Sequence, residues 1–398
     1  MHRAARTVLL LSAIHSRLPA ASASAVHEVP FEIASNKAFV QVTVNGSAPQ
    51  WFILDSGCAG GSVIARECAD RLGIARGRAT ERHLGAGSGV SVGVSTAADA
   101  VLGLGEDTVG VASPRVFPLA HVARFEGRRV DGLVGEDFLL RHVVEIDYAH
   151  RRLRIRDPRG FTPPRGATVV PIALEHGLAV VGGAIALPGG GSIPCRFVID
   201  TGVRATVILY RPFAIAHHLL DAPGDLASAV VGGGAGGETI GDVGRLAWLA
   251  LGEARFERPT AVYSRDTVGV FASEDPDGII GGELLRRCRV TFDYPHRRLM
   301  LERHRGPGAF EYDMSGLFLT AEGDRFDTVM VYGVTSGTPA AEAGVRPGDA
   351  ILAIDGARAP DLTLERARAM LRTPGAHRLE LERGNERREI RIEARPLV

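Results

Sequence analysis

The feature that most constrains this chain is that it repeats itself. DGLVGEDFLLRHVVEIDYAHRRL, residues 131 to 153, returns as DGIIGGELLRRCRVTFDYPHRRL, residues 277 to 299, a period of about 145 residues. Upstream, VPFEI from Val29 is echoed by VPIAL from Val170, and FILDSG from Phe52 by FVIDTG from Phe197. The glycine cluster LGAGSG from Leu84 returns as VGGGAG from Val231. Two units with one order of features fold alike, so the expectation is two equivalent lobes. The Pro- and Gly-rich stretch DPRGFTPPRG, residues 157 to 166, reads as the linker between them, and HRGPG from His304 closes the second. This places the lobes at residues 26–158 and 167–303, with a third domain of no internal counterpart at 309–398.

Within each unit the pattern is β. FVQVTV from Phe39 alternates at period 2, while WFIL and FVI are short continuous apolar runs of the kind found in buried strands. VVEIDYAHRRLRI reads as strand, turn, strand, with the turn at Tyr148 to Arg151 and Pro295 in the matching turn of the second unit. Helices are expected only at Ala65 to Leu72, Glu136 to Arg141 and Glu283 to Arg287.

A formal net charge of zero and a pI near 7.2 give no electrostatic footprint for nucleic acid. Paired arginines such as Arg286-Arg287 read as solvated surface. His2, Arg3 and Arg6 precede a short apolar run, and ASASA at Ala21 to Ala25 offers A-x-A cleavage sites, so residues 1–25 read as a signal peptide of an exported, periplasmic or secreted protein. No other segment reaches the length of a membrane span. Four cysteines in an exported chain allow three disulfide connectivities; Cys58 with Cys68 and Cys195 with Cys288 is the one that keeps each lobe self-contained. With no C-x-x-C, a structural zinc site is not expected.

Asp55 and Asp200 each end a buried strand, where a carboxylate is costly unless something is built around it. A D-[ST]-G triplet after an apolar strand, followed about 80 residues later by D-G-apolar-apolar-G, resembles the lobe of the retropepsin-like aspartic proteases. The resemblance spans both units and implies a mainly β fold, two acid-protease barrel lobes about a pseudo-twofold axis in one chain. It implies that Asp55 and Asp200 face each other, share one proton and activate water for peptide hydrolysis. Gly57 and Gly202 would allow the close approach, and Ser56 and Thr201 would brace the loops across the interface. Gly135 and Gly281 would sit where the second motif packs on the active loop. Gly85, Gly87 and Gly89 in one lobe, and Gly232, Gly233, Gly234, Gly236 and Gly237 in the other, would form flap tips. No metal or cofactor is implied. Two departures stand out: Cys58 and Val203 occupy a position that is usually alanine, and neither flap carries the tyrosine usual in pepsin-like members. Arg204 reads as solvent-facing, its other reading being a cation beside the dyad.

Two decoys fail on context. GVSVG around Ser91 matches a nucleophile elbow but lies in an alternating strand, and GGGAGG from Gly232 has no helix after it. His150 and His296 read as surface residues of hairpin turns that Asp147 and Asp293 shape.

SGTPAAEAGVRPGDAILAIDG, residues 336 to 356, resembles a bacterial PDZ domain, an α+β fold that binds peptide ends by strand addition. That resemblance implies helices at Ala340 to Ala343 and Leu364 to Leu371. Ser315, Gly316, Leu317 and Phe318 would then form the carboxylate nest and groove edge. The expectation is an exported aspartic endopeptidase acting on protein or peptide substrates, its PDZ domain recruiting them or an adaptor. The alternative is a non-catalytic peptide-binding scaffold of the same folds.

Overall fold

In the computed structural model, residues 26–78, 81–84, 91–221, 226–234, 236–304, 306 and 308–398 are described. Residues 1–25, read above as a signal peptide, and the cluster Gly85, Gly87 and Gly89 lie outside the described residues. The architecture is mainly β, in three sheets.

The centre of the molecule is a run of six strands contributed by both units. Its order is Thr168–Pro171, Arg298–Arg303, Cys288–Asp293, Val143–Asp147, Arg152–Arg156, Val26–Ala34. Val143–Asp147 and Cys288–Asp293 pair antiparallel, Val143 opposite Asp293 and Asp147 opposite Arg289. From either edge inward the order is the same: the opening strand of one unit, then that unit's own terminal hairpin. The two central strands are covered on both faces; Val143, Val144, Ile146, Val290 and Phe292 have no exposed surface. The hairpin turns are drawn in by buried Asp147 and Asp293, which accept the backbone N–H of His150 (3.1 Å) and His296 (3.3 Å).

Above this floor each lobe repeats one arrangement. Gln50–Leu54 runs parallel to Gly132–Val134, which pairs antiparallel with Val63–Ala65 on its other side. In the second lobe Ser192–Ile199 is parallel to Gly278–Ile280, which pairs antiparallel with Val207–Leu209. The glycines that open the middle strands are required by the packing, since a Cβ on Gly132 would overlap the Phe52 ring and one on Gly278 the Ile208 carbonyl.

The helices at Arg66–Arg71, Glu136–Leu139 and Gly282–Leu285 fall where the sequence places them, and Ala120–Glu126 and Arg211–Ala216 are additional. Among the described residues no helix is long and apolar enough to cross a membrane. All four cysteines are free and buried, so the expected disulfide pairing does not form. Cys58 sits in the loop after its strand with Sγ on the Gly61 carbonyl (3.3 Å), whereas Cys68 is enclosed in the helix Arg66–Arg71. Burial pushes the thiols up, Cys68 to about 11 and Cys195 and Cys288 to about 12, so they remain protonated and unreactive. Arg287 also departs from expectation. It is buried, stacks on Phe310 at 3.7 Å and donates to the Gly308 and Ala309 carbonyls, fixing the segment after the second lobe to its surface.

The C-terminal residues form a separate sheet with its own core. Leu317–Glu322, Thr328–Val334, Ala350–Ile354, Gly375–Arg383 and Glu386–Ala394 follow one another across the sheet. The helices Pro339–Glu342 and Leu364–Met370 bury Ala340, Leu364 and Ala367 against it. Thr363 Oγ1 caps the second by accepting the Arg366 N–H (3.2 Å).

Candidate active site

Each lobe delivers its acid at the end of a three-strand packet. The Asp55 N–H donates to Val134 O and the Asp200 N–H to Ile280 O, both at 2.9 Å, so the parallel neighbour fixes where the carboxylate leaves the strand. The next two residues then turn sharply: Gly57 N donates to Asp55 Oδ1 (2.9 Å) and Gly202 N to Asp200 Oδ1 (2.6 Å). The two turns meet, and the carboxyl groups hydrogen-bond to each other. A Cβ on Gly57 would overlap the Asp200 carboxyl, and one on Gly202 the Asp55 carboxyl. Glycine here is a requirement of close approach rather than of backbone conformation.

Ser56 and Thr201 lie beneath the acids and cross over. Ser56 Oγ donates to Ile199 O (2.8 Å) and accepts Thr201 N (3.1 Å); Thr201 Oγ1 donates to Leu54 O (2.6 Å) and accepts Ser56 N (3.0 Å). Of these four hydrogen bonds two join the loops to each other and two tie a loop to the opposite strand, with both hydroxyls buried. Gly135 and Gly281 press on the outer side of the loops, where a Cβ would meet Cys58 O and Ala205 O respectively.

Burial raises Asp55 above the ordinary carboxylate range, with the Lys37 cation acting against it. Asp200 is raised further, by burial and then by the Asp55 charge. Two carboxyls buried side by side and both raised hold one proton between them.

Lys37 and Glu126 are two site residues that the sequence did not single out. They form a buried ion pair of 2.6 Å and line the same cavity as the dyad. The available signal was the repeat itself: measured from Val29 and Val170, Lys37 falls at the position of Leu178, and both line the cavity. A charged residue where the twin strand carries an apolar one marks an asymmetric, buried use. Arg204, assigned to solvent from its type, instead turns into the cavity and lies 5.8 Å from the centre of the Phe318 ring. Phe318 of the C-terminal unit stands over this point and leaves Arg204 half-buried.

The cavity is about 410 Å³ and is roofed by the hairpin Leu226–Gly234 and Gly237–Arg245. Its described tip residues Gly232, Gly233 and Gly234 line the cavity, and Gly236 lies in the turn beyond. Gly233 rests against Phe125, and His121 Nε2 lies 3.2 Å from Gly234 O. Ser91 opens the strand Ser91–Thr96, without the helix a nucleophile elbow needs. Ser315, Gly316, Leu317 and Phe318 lie at the start of the edge strand of the C-terminal sheet. Asp313 accepts the N–H of Ser315 (3.1 Å) and Gly316 and the Ser315 hydroxyl (2.7 Å), so these amides are engaged within the chain.

Residues 40–138 and 185–284, together half of the chain, match the family described as aspartyl protease. Residues 330–383 match the PDZ domain family. Among solved structures the chain is similar to an aspartic proteinase from Irpex lacteus, with 13% sequence identity over 71% of this chain and 98% of that one and a TM-score of 0.43. No curated protein matches the sequence.

Proposed function

The chain belongs to the aspartyl protease family, and on that footing we propose that it is an exported endopeptidase in which Asp55 and Asp200 hydrolyse peptide bonds through an activated water. The observation that carries this is the pair of facing carboxyls, each packed against the other's glycine, at the base of a covered cleft. Asp55, ionised, takes a proton from the attacking water, while Asp200 gives its proton to the carbonyl oxygen. The tetrahedral species then breaks its C–N bond as the amine takes up a proton, and the dyad returns to one shared proton. Ser56 and Thr201 hold the two carboxyls in register, and the hairpin over the cleft excludes bulk water. The PDZ domain would hold protein or peptide substrates beside the cleft. Export rests on the sequence of residues 1–25, and the protonated buried thiols are compatible with an oxidising compartment.

The test is cleavage of a mixed peptide library by the mature protein from pH 3 to 8, beside Asp55→Asn and Asp200→Asn and with a transition-state analogue of peptide hydrolysis. Cleavage lost in both variants and blocked by the analogue is expected. Peptide retention with no cleavage by the parent protein would make it a binding scaffold instead.

A further inference from the structure

The cleft is not walled by the two lobes alone. Phe318, on the strand Leu317–Glu322, and Arg368, on the helix Leu364–Met370, come from the C-terminal unit yet line the cavity that holds Asp55 and Asp200. Arg204, four residues beyond Asp200, lies where this cavity meets a smaller one bounded by Gly316 and Arg372. One end of the substrate cleft is therefore built from guanidinium groups.

These cations are held by neutral groups. Arg368 donates to Ser35 Oγ (2.8 Å), Phe125 O (2.8 Å) and Leu319 O (2.9 Å). Arg204 has the face of Phe318 for company. Among the described residues neither forms an ion pair, and the acids nearby have other partners, although Glu126 Oε2 is buried without one. Glu126 is paired with Lys37, Glu365 accepts the Ser35 N–H (3.0 Å), and Asp313 holds the Ser315 and Gly316 amides. Burial and then the Arg204 cation push Arg368 down to about 9, still charged at neutral pH, and Arg204 is lowered by burial and then by Arg372. Two half-buried cations that depress one another and have no ion pair leave room for an anion between them, and both line the cavity that holds the dyad.

We propose that Arg204, framed by Phe318 and Arg368, is a carboxylate subsite of the cleft. It selects peptides that place an acidic side chain or a free C-terminal carboxylate at the end nearest the PDZ domain. A planar guanidinium presents paired donors that match a carboxylate, and the Phe318 ring lies 5.8 Å from the Arg204 Cζ. The PDZ domain then acts as a wall of the catalytic cleft, so that its position sets substrate preference directly. Arg204 is a specificity-determining residue and takes no part in the bond-breaking steps.

This rests on the cleft being the substrate site, and the test separates the two by measuring binding without turnover. Three labelled peptides of one sequence are titrated into the full mature chain carrying Asp200→Asn: an internal Glu with an amidated end, Gln with an amidated end, and Gln with a free C-terminus. Whichever carboxylate the subsite accepts should bind about tenfold tighter than the neutral peptide, a gain that shrinks with added salt. Arg204→Gln should bring the ratio to within about twofold, and Arg204→Lys should retain part of it. A merely structural role for Arg204 would change all three affinities together. Equal binding of the three peptides, no binding of any, or full discrimination surviving in Arg204→Gln would overturn the proposal. The parent protein is assayed for cleavage of the same set: discrimination in binding without cleavage sinks only the protease reading, and equal cleavage of all three sinks only the subsite.

Discussion

Asp55 and Asp200 occupy equivalent strand ends but not equivalent surroundings, and the difference traces to one residue. Lys37 stands where the second lobe has Leu178, and its cation lowers both acids against the effect of burial. Lys37→Met alone would leave Glu126 charged and buried, costing about 3–5 kcal/mol of stability, whereas Lys37→Met with Glu126→Gln should recover most of that. In the double variant Asp55 loses a stabilising cation, so its carboxyl protonates at higher pH. The acid limb of kcat/KM against pH should move upward while the profile stays bell-shaped; an unmoved limb would remove Lys37 from the site's electrostatics. Stability follows a separate sign. A raised carboxyl binds its proton more tightly folded than unfolded, so stability falls as pH climbs from about 3.8 through the raised range of the dyad. Asp200→Asn should therefore stabilise the chain at pH 7 by about 1–2 kcal/mol and by nothing at pH 3, where both carboxyls are already protonated in either state. Urea unfolding at the two pH values measures the difference.

The elements that carry the acids were legible because their signal is local. WFIL and FVI are apolar runs stopped by an acid and a glycine, and each became a strand covered on both sides. The helix Ala120–Glu126 was not legible. It has under two turns to show a period, no side-chain cap at Leu119, and an exit at Gly127 whose φ of 67° ends it. Tertiary contact stabilises it instead, through Phe125 beneath the flap and Glu126 on Lys37. The cysteines show the same limit, since their count is in the sequence but their separation belongs to the fold. This helix gives the flap its seat, and the seat requires a glycine. A Cβ on Gly233 would overlap the Phe125 ring, so Gly233→Ala should hold the hairpin off the cleft. We expect kcat/KM to fall about tenfold or more with stability changed by under about 1 kcal/mol, because the tip is partly exposed. Phe125→Ala on the same background reopens the space and should restore part of the rate. A Gly233→Ala enzyme with unchanged kinetics would show that the closed position plays no part in turnover.

At the scale of the molecule, the C-terminal unit joins parts that the repeat alone keeps separate. It touches the first lobe through Phe318 and Tyr332 on Phe125, with ring centres 5.9 and 5.2 Å apart, and through Leu364 under Gly127. It touches the second lobe's flap through the Tyr332 hydroxyl on Glu238 and through Gly333 beside Val230. The exposure expected of Arg204 failed for this reason: a residue's own segment carries no record of a domain that folds over it from more than a hundred positions away. The same contacts make the flap's freedom depend on the PDZ domain. Each aromatic pair contributes about 0.5–1.5 kcal/mol to fixing Phe125, on which Gly233 rests, and Tyr332 also holds Glu238 of the hairpin; removing both rings therefore loosens the flap's seat and takes away a hydrogen bond, together comparable to a tenfold change in its opening. Phe318→Ala with Tyr332→Ala should raise amide exchange in residues 226–234 by about tenfold while the strands Gln50–Leu54 and Ser192–Ile199 stay protected. Exchange unchanged in the hairpin would mean that the lobes close the cleft by themselves and that the PDZ domain only frames it. Exchange raised throughout both lobes would assign the aromatic cluster to global stability. The expected pattern, confined to the hairpin, makes the third domain a brace on the flap as well as a wall of the cleft.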